Sequence, residues 1–131
     1  MAYEIRERSM RMYVEKTWGV WKEDEARNQI RDDITYRRLS IIEVDDQPIG
    51  MMRVDEHNTH FDIDQLFLLP HSQNQGIGTA LIRSVLSRAK ERGLPVKLWV
   101  LRVNPARNLY LRLGFKVVIE TDESLHLQSG D

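Results

Sequence analysis

The sequence predicts an α/β (α+β) domain built on a mixed central sheet with helices on both faces. Three observations predict it. Residues 77–89 place apolar side chains at helical spacing, between two apolar runs, 61–69 and 96–101, of strand length. Residues 39–54 hold two β-rich runs about the turn pair Asp45-Asp46, as a hairpin does. A second helical pattern opens at Asn104-Pro105 and is followed by two more β-rich runs. With 131 residues, a single domain over 1–131 is expected. Such a chain buries roughly two-thirds of its unfolded surface, so one core suffices.

The elements follow in order. Tyr3 to Arg6 reads as a short first strand. Residues 10–33 read as helix broken near Gly19, with Met12, Val14, Trp18, Trp21 and Ile30 as an imperfect apolar stripe. Residues 39–44 and 48–54 form the hairpin, His57-Asn58-Thr59 is a polar turn, and 61–69 is a strand ended by Pro70. The next helix is the clearest element. Ile77, Leu81, Ile82, Val85, Leu86 and Ala89 share one face, while Arg83, Ser87, Arg88, Lys90 and Glu91 cover the other. Gly93 suits a left-handed cap and Pro95 forbids continuation. The run Leu98-Trp99-Val100-Leu101 suits a strand buried on both faces. Asn104 is placed as an N-cap with Pro105 at the first helical position. Ala106, Leu109, Tyr110 and Leu113 make that helix's buried stripe, and Gly114 ends it. Residues 115–120 and 124–127 are the last two strands.

Composition narrows the function classes. The chain has no cysteine, which excludes disulfides, a thiol nucleophile and thiolate metal sites. A formal net charge of −1 gives no basic field for nucleic acid, so no nucleic-acid partner is expected. No apolar run approaches the ~20 residues of a membrane span, and the polar, mixed-charge start is unlike a signal peptide. A cytoplasmic location and no membrane partner are expected. Charge is uneven. Glu23, Asp24, Glu25, Asp32 and Asp33 make the early region acidic, while Arg83, Arg88, Lys90, Arg92, Lys97, Arg102, Arg107, Arg112 and Lys116 make the later half basic. Solvated helix faces account for this, as does an acidic side for a cationic substrate opposite a basic side for a polyanion.

The stretch Leu66-Phe67-Leu68-Leu69-Pro70-His71-Ser72-Gln73-Asn74-Gln75-Gly76-Ile77-Gly78-Thr79 is the most informative part of the chain. An apolar strand runs into a polar loop with two glycines, and a helix is expected to open at the second. Bare glycine lets a ligand approach the free N–H donors of the first helical turn, where the helix dipole adds positive charge. That combination suits a phosphate or pyrophosphate. It is not a P-loop, because no lysine follows Gly78.

The Gln73-x-x-Gly76-x-Gly78 run resembles the Q/R-x-x-G-x-G/A signature of the GNAT N-acyltransferases. Downstream, Asn104-Pro105-Ala106-Arg107-Asn108-Leu109-Tyr110-Leu111-Arg112-Leu113-Gly114-Phe115 is similar to that superfamily's N-x-A…L-Y-x-x-L-G-F segment. Two motifs in the right order, with a strand, helix, strand and helix between them, are far more specific than a glycine turn. The resemblance is strong over about 63–118, weaker over the hairpin and weakest before it.

The resemblance implies a partly splayed central sheet, parted between the strands at 61–69 and 96–101, with the pantetheine arm of acetyl-CoA in the opening. Acetyl-CoA is the implied cosubstrate. Gln73, Asn74, Gln75, Gly76, Ile77, Gly78 and Thr79 would hold its pyrophosphate, and the backbone of Leu66, Phe67 and Leu68 its amides. Asn104 would reach the cofactor arm beyond its capping role, and Arg107 and Asn108 the phosphates or adenosine. Tyr110 is both a core tyrosine by its stripe and, by the resemblance, the acid that faces the thioester sulfur.

Some relatives carry a carboxylate near Asp62 and Asp64. Simple alternation places Asp62, Asp64, Leu66 and Leu68 on one face, which makes the two acids candidate bases for a protonated amine. Solvated strand-end residues are the other reading. A glutamate of the later strand in other relatives is replaced here near Trp99. Tyr13, Trp18 and Trp21, with Glu15, Glu23 and Asp24 nearby, would line the acceptor side. His57, His60, His71 and His126 match no metal-ligand spacing, so no metal is expected and they receive no role.

The expected function is transfer of an acetyl group from acetyl-CoA to a primary amine by direct attack in a ternary complex, on a small molecule or a protein. The alternative is a non-catalytic acyl-CoA-binding or regulatory module on the same fold. A homodimer through the C-terminal strands is compatible with the sequence.

Overall fold

The computed structural model describes residues 2–35, 39–73 and 75–129. Helix α1 (Ala2–Trp18) comes first. Tyr3–Arg6, expected as a strand, is its first turn. Ala2, Ile5 and Ser9 are all buried at helical spacing, so two small residues carry the stripe and override the brief alternation of Tyr3 and Ile5. Gly19, at φ +83°, ends the helix, as the sequence predicts. Helix α2 (Glu23–Thr35) turns Ala26 and Ile30 inward and places Glu23, Asp24 and Glu25 at its electropositive first turn.

Strands β1 (Ser40–Val44) and β2 (Gln47–Glu56) form the expected hairpin. Val44 opposes Gln47, and the two residues between them, Asp45 and Asp46, have φ of 52° and 64°. Positive φ at both positions gives the mirror-image turn whose twist matches paired strands. Strand β3 (Phe61–Leu68) pairs antiparallel with β2, but not evenly. Gln65 opposes Arg53 and Ile63 opposes Val54, so Asp64 is an extra residue, a β-bulge. The bulge resets the alternation. Phe61, Ile63 and then Leu66 pack into one cluster, with Ile82, Val85 and Ala89, while Phe67 packs on the opposite side with Ala2, Ile5, Ile30, Met51 and Leu69.

After a 3₁₀ turn at Pro70–Ser72, helix α3 (Ile77–Glu91) opens one residue before the expected Gly78. Strand β4 (Val96–Leu101), helix α4 (Ala106–Arg112) and strands β5 (Phe115–Glu120) and β6 (Ser124–Ser129) complete the chain. The sheet order is β1-β2-β3-β4-β6-β5. Helices α3 and α4 cover one face and α1 and α2 the other. Strand β4 is not buried on both faces as its apolar run implies. Val96, Leu98 and Val100 face the α3/α4 core, but Lys97 is exposed and Trp99 is 54% exposed. The α1/α2 layer packs over β2 and β3 and leaves much of the same face of β4 open.

Among the described residues, no helix is long and apolar enough to cross a membrane.

Candidate active site

Strands β3 and β4 run parallel, yet only two residue pairs are in register, Phe61 with Val96 and Asp62 with Lys97. Beyond them the two strands no longer pair, and a cleft of about 580 Å³ lies between the end of β3 and the loop and helix that follow β4. Leu66, Phe67 and Leu68 form one wall. Asn104, Pro105, Ala106 and Tyr110 form the other, from the loop after β4 and from α4. The divergence withholds a parallel ladder from these stretches of β3 and β4, so an extended ligand with amides can pair there as an added strand does.

The mouth is the glycine loop. Its fold is set by side chains bonding to backbone. Gln73 Nε2 donates to the Leu68 carbonyl at 2.9 Å, and Gln75 Nε2 to the His71 carbonyl at 2.8 Å. Gly76 caps α3 at φ +80°, a backbone state that costs an L side chain about 1–2 kcal/mol. A Cβ there would meet nothing within 4 Å, so conformation and not crowding demands glycine. Gly76, Gly78 and Thr79 line the cleft, at the N-terminal, electropositive end of a 15-residue helix.

The expected binding residues divide accordingly. Leu66, Phe67, Leu68, Gln73, Gly76, Gly78, Thr79, Asn104 and Tyr110 converge on the cleft. Gln75, Ile77 and Arg107 do not line it; Gln75 instead braces the loop. Asn74 lies outside the described residues. Asn104 fulfils its capping role, its Oδ1 accepting the Ala106 N–H at 2.9 Å, and its Nδ2 lies 3.8 Å from Met10 Sδ of α1.

Tyr110 is buried in the cleft wall, with its ring edge-on to Phe115 at 5.6 Å between centroids. Burial pushes the phenol up to about 12, because the phenolate is poorly solvated there. The hydroxyl therefore holds its proton throughout the neutral range and is available there as a proton donor. Among the described residues no hydrogen bond reaches it.

Asp62 and Asp64 do not reach this cleft, which corrects the single-face expectation. Both sit near the N-terminal end of β3, and the bulge at Asp64 separates them in phase from Leu66 and Leu68. Asp62 meets His57 and His60, and Asp64 meets Arg53 at 3.3 Å.

The acceptor side is also revised. Tyr13 lines the cleft, joined by Ser9 and Met10 of α1, which the sequence pattern does not single out. Ser9 Oγ donates to the Leu68 carbonyl at 2.9 Å and ties α1 to the cleft wall. Trp21 instead packs on Tyr3 and donates to its hydroxyl at 3.0 Å, and Trp18 donates to Glu123 at 2.8 Å. Glu15 and Glu23 are bound to Arg11 and Arg27 on their own helices. Asn108, Leu109 and Arg112 complete the lining from α4. Asn108 was expected at the cofactor, and Arg112, four residues on, shares its face, while Leu109 and Tyr110 share a face with Ala106.

A splayed sheet with a glycine-capped helix at its mouth defines an acyl-CoA N-acyltransferase fold, and residues 2–115 match the model of the Acetyltransferase (GNAT) family. The chain belongs to that family. It is 32% identical over 113 residues to an uncharacterized N-acetyltransferase of Methanocaldococcus jannaschii, covering 79% of this chain and 48% of that one. It is also 32% identical over 119 residues to an uncharacterized N-acetyltransferase of Archaeoglobus fulgidus, covering 77% and 80%. The chain thus spans about half the length of the first relative and four-fifths of the second. Among solved structures, a Pyrococcus horikoshii protein superposes with a TM-score of 0.77 at 20% identity, over 99% of this chain and 88% of that one. The PaiA N-acetyltransferase of Thermoplasma acidophilum, solved with coenzyme A, superposes with a TM-score of 0.72 at 19% identity, over 98% and 90%. These likenesses show a shared fold.

Proposed function

We propose that this chain transfers an acetyl group from acetyl-CoA to a primary amine, with both substrates bound at once. The observation that carries the proposal is Tyr110, a protonated phenol in the wall of a cleft whose mouth is the N-terminus of α3. The residues fit the cosubstrate. Left-handed Gly76 and bare Gly78 let a diphosphate approach the first-turn amides of α3, and β3 beyond Asp62 offers backbone groups to the pantetheine amides.

In the proposed step the amine nitrogen attacks the thioester carbonyl carbon. The C–N bond forms, the C–S bond breaks, Tyr110 gives its proton to the departing sulfur, and the proton shed by the acylated nitrogen passes through water to restore the phenol. Proximity in the ternary complex supplies much of the rate. Since Asp62 and Asp64 lie outside the cleft, the amine loses its proton through water or before it binds. The acceptor enters beside Ser9, Met10 and Tyr13. A thiol-release assay with acetyl-CoA and a panel of amines tests this. Acceptor-dependent release that falls in Tyr110→Phe supports transfer. Tight acetyl-CoA binding with no release for any amine favours the non-catalytic module.

A further inference from the structure

We propose that His57, His60 and Asp62 form a site for a divalent transition-metal ion, zinc in the first instance, that clamps the β2–β3 turn.

The three residues come together because of the turn. The His57 N–H donates to the His60 carbonyl at 2.9 Å, so the two histidines face each other across the tip, with ring centroids 4.8 Å apart. Asp62 follows His60 by two residues and shares its side of the strand. Both Nε2 atoms meet one oxygen, Asp62 Oδ2, at 3.0 Å from His57 and 3.2 Å from His60. One ligand atom from each residue lies within 4.8 Å of the others. Tetrahedral zinc, with bonds of about 2.0–2.1 Å, sets its ligand atoms roughly 3.3 Å apart. Two of the three spacings already match that figure, and His57, at 49% side-chain exposure, can rotate to adjust the third.

The donor set suits the ion. Two imidazoles and a carboxylate are ligands for zinc or its neighbours, and solvent can complete the shell. The second ring nitrogen of His60 is engaged by Thr59 Oγ1 at 2.8 Å. A hydrogen bond from Nδ1–H to that hydroxyl leaves the Nε2 lone pair facing Asp62, the orientation a metal ligand needs. The competing cation is Lys97, the register partner of Asp62 on β4, and it is exposed and able to swing away. The neighbouring acid, Glu56, is already shared by Arg88 and Arg92.

The site stands apart from the cleft. Asp62 lies where β3 and β4 last pair, and the cleft begins at Leu66. A bound ion would join the turn to the base of the splay and stabilise the folded state by mass action.

The test is calorimetric titration of the tag-free chain with zinc chloride in a non-chelating buffer, alongside thermal unfolding with and without zinc. One ion per chain is expected, with a zinc-dependent rise in Tm. His60→Ala, His57→Ala and Asp62→Asn should each weaken binding about tenfold or more and abolish the rise, while His71→Ala and His126→Ala should change neither. The exposed His57 keeps the test informative if a variant at His60 fails to fold. Absence of saturable binding, or equal affinity in the folded His57→Ala and Asp62→Asn proteins, overturns the proposal and leaves a proton-bridged cluster only. Acetyl-CoA affinity should be the same with and without zinc.

Discussion

Lys97 stands opposite Asp62 as the last in-register pair between β3 and β4, and everything the cleft offers follows from the absence of a further rung. Had the ladder continued, the edges of Leu66–Leu68 and the residues after Trp99 would be spent on each other. Their separation leaves room for Tyr110 and Asn104 to line the gap.

Gly76→Val should weaken acetyl-CoA binding by at least about tenfold, since a β-branched side chain at φ +80° is both strained and set between ligand and amides. Gly76→Ala should share most of the strain, about 1–2 kcal/mol, with a smaller loss of affinity. Calorimetry together with thermal unfolding separates the two effects. Undiminished affinity in the valine variant would remove the loop from the binding site.

Tyr110→Phe keeps the ring against Phe115 and removes only the hydroxyl. The chemical step should fall by about ten- to a thousand-fold, with acetyl-CoA affinity within about twofold. Single-turnover rates and calorimetry are the measurements.

The same residue predicts an alkaline weakness. An unfolded tyrosine ionises near 10.0, and burial pushes Tyr110 up to about 12. Below pH 10 both states keep the proton and stability is untouched. Between pH 10 and 12 the unfolded chain loses its proton first, so stability falls as pH rises, by roughly 3 kcal/mol in all. Denaturant titrations in that window should show a steeper decline for the wild type than for Tyr110→Phe.

Asp64→Asn should leave turnover within about twofold, because Asp64 pairs with Arg53 and does not line the cleft. A loss of tenfold or more in steady-state rate would restore it as a base.

Gly50 faces Leu68 across β2 and β3, and a Cβ there would collide with the Phe67 carbonyl oxygen and lie 2.8 Å from Leu68 Cδ2. Gly50→Ala should therefore cost about 1–3 kcal/mol, seen as a lower Tm, and should disturb the adjoining cleft wall.

Much of this was legible in the chain. Helix α3 was readable because its stripe from Ile77 to Ala89 is long and its end is marked by Gly93 and Pro95. The loop around Gly76 and the cap at Asn104 were readable because each needs a particular residue type. The start of α1 was not, since four alternating residues, Tyr3 to Arg6, carry too little periodicity to outweigh a helix stripe made of Ala2 and Ser9. The half-open face of β4 was hidden because Trp99 looks like a core residue until the extent of the α1/α2 layer is known. The convergence of His57, His60 and Asp62 depends on a turn geometry that spacing alone does not encode. The bulge at Asp64 also left no mark, as an inserted residue is seen only against its partner strand.

That single surplus residue works as a phase shift in the strand. Were Asp64 taken into the ladder as an ordinary strand residue, the second half of β3 would carry the opposite parity, turning Phe67 toward α3 and Leu66 and Leu68 toward α1. Deleting Asp64 would instead set Leu66 two places after Ile63 and keep both faces of the wall as they are.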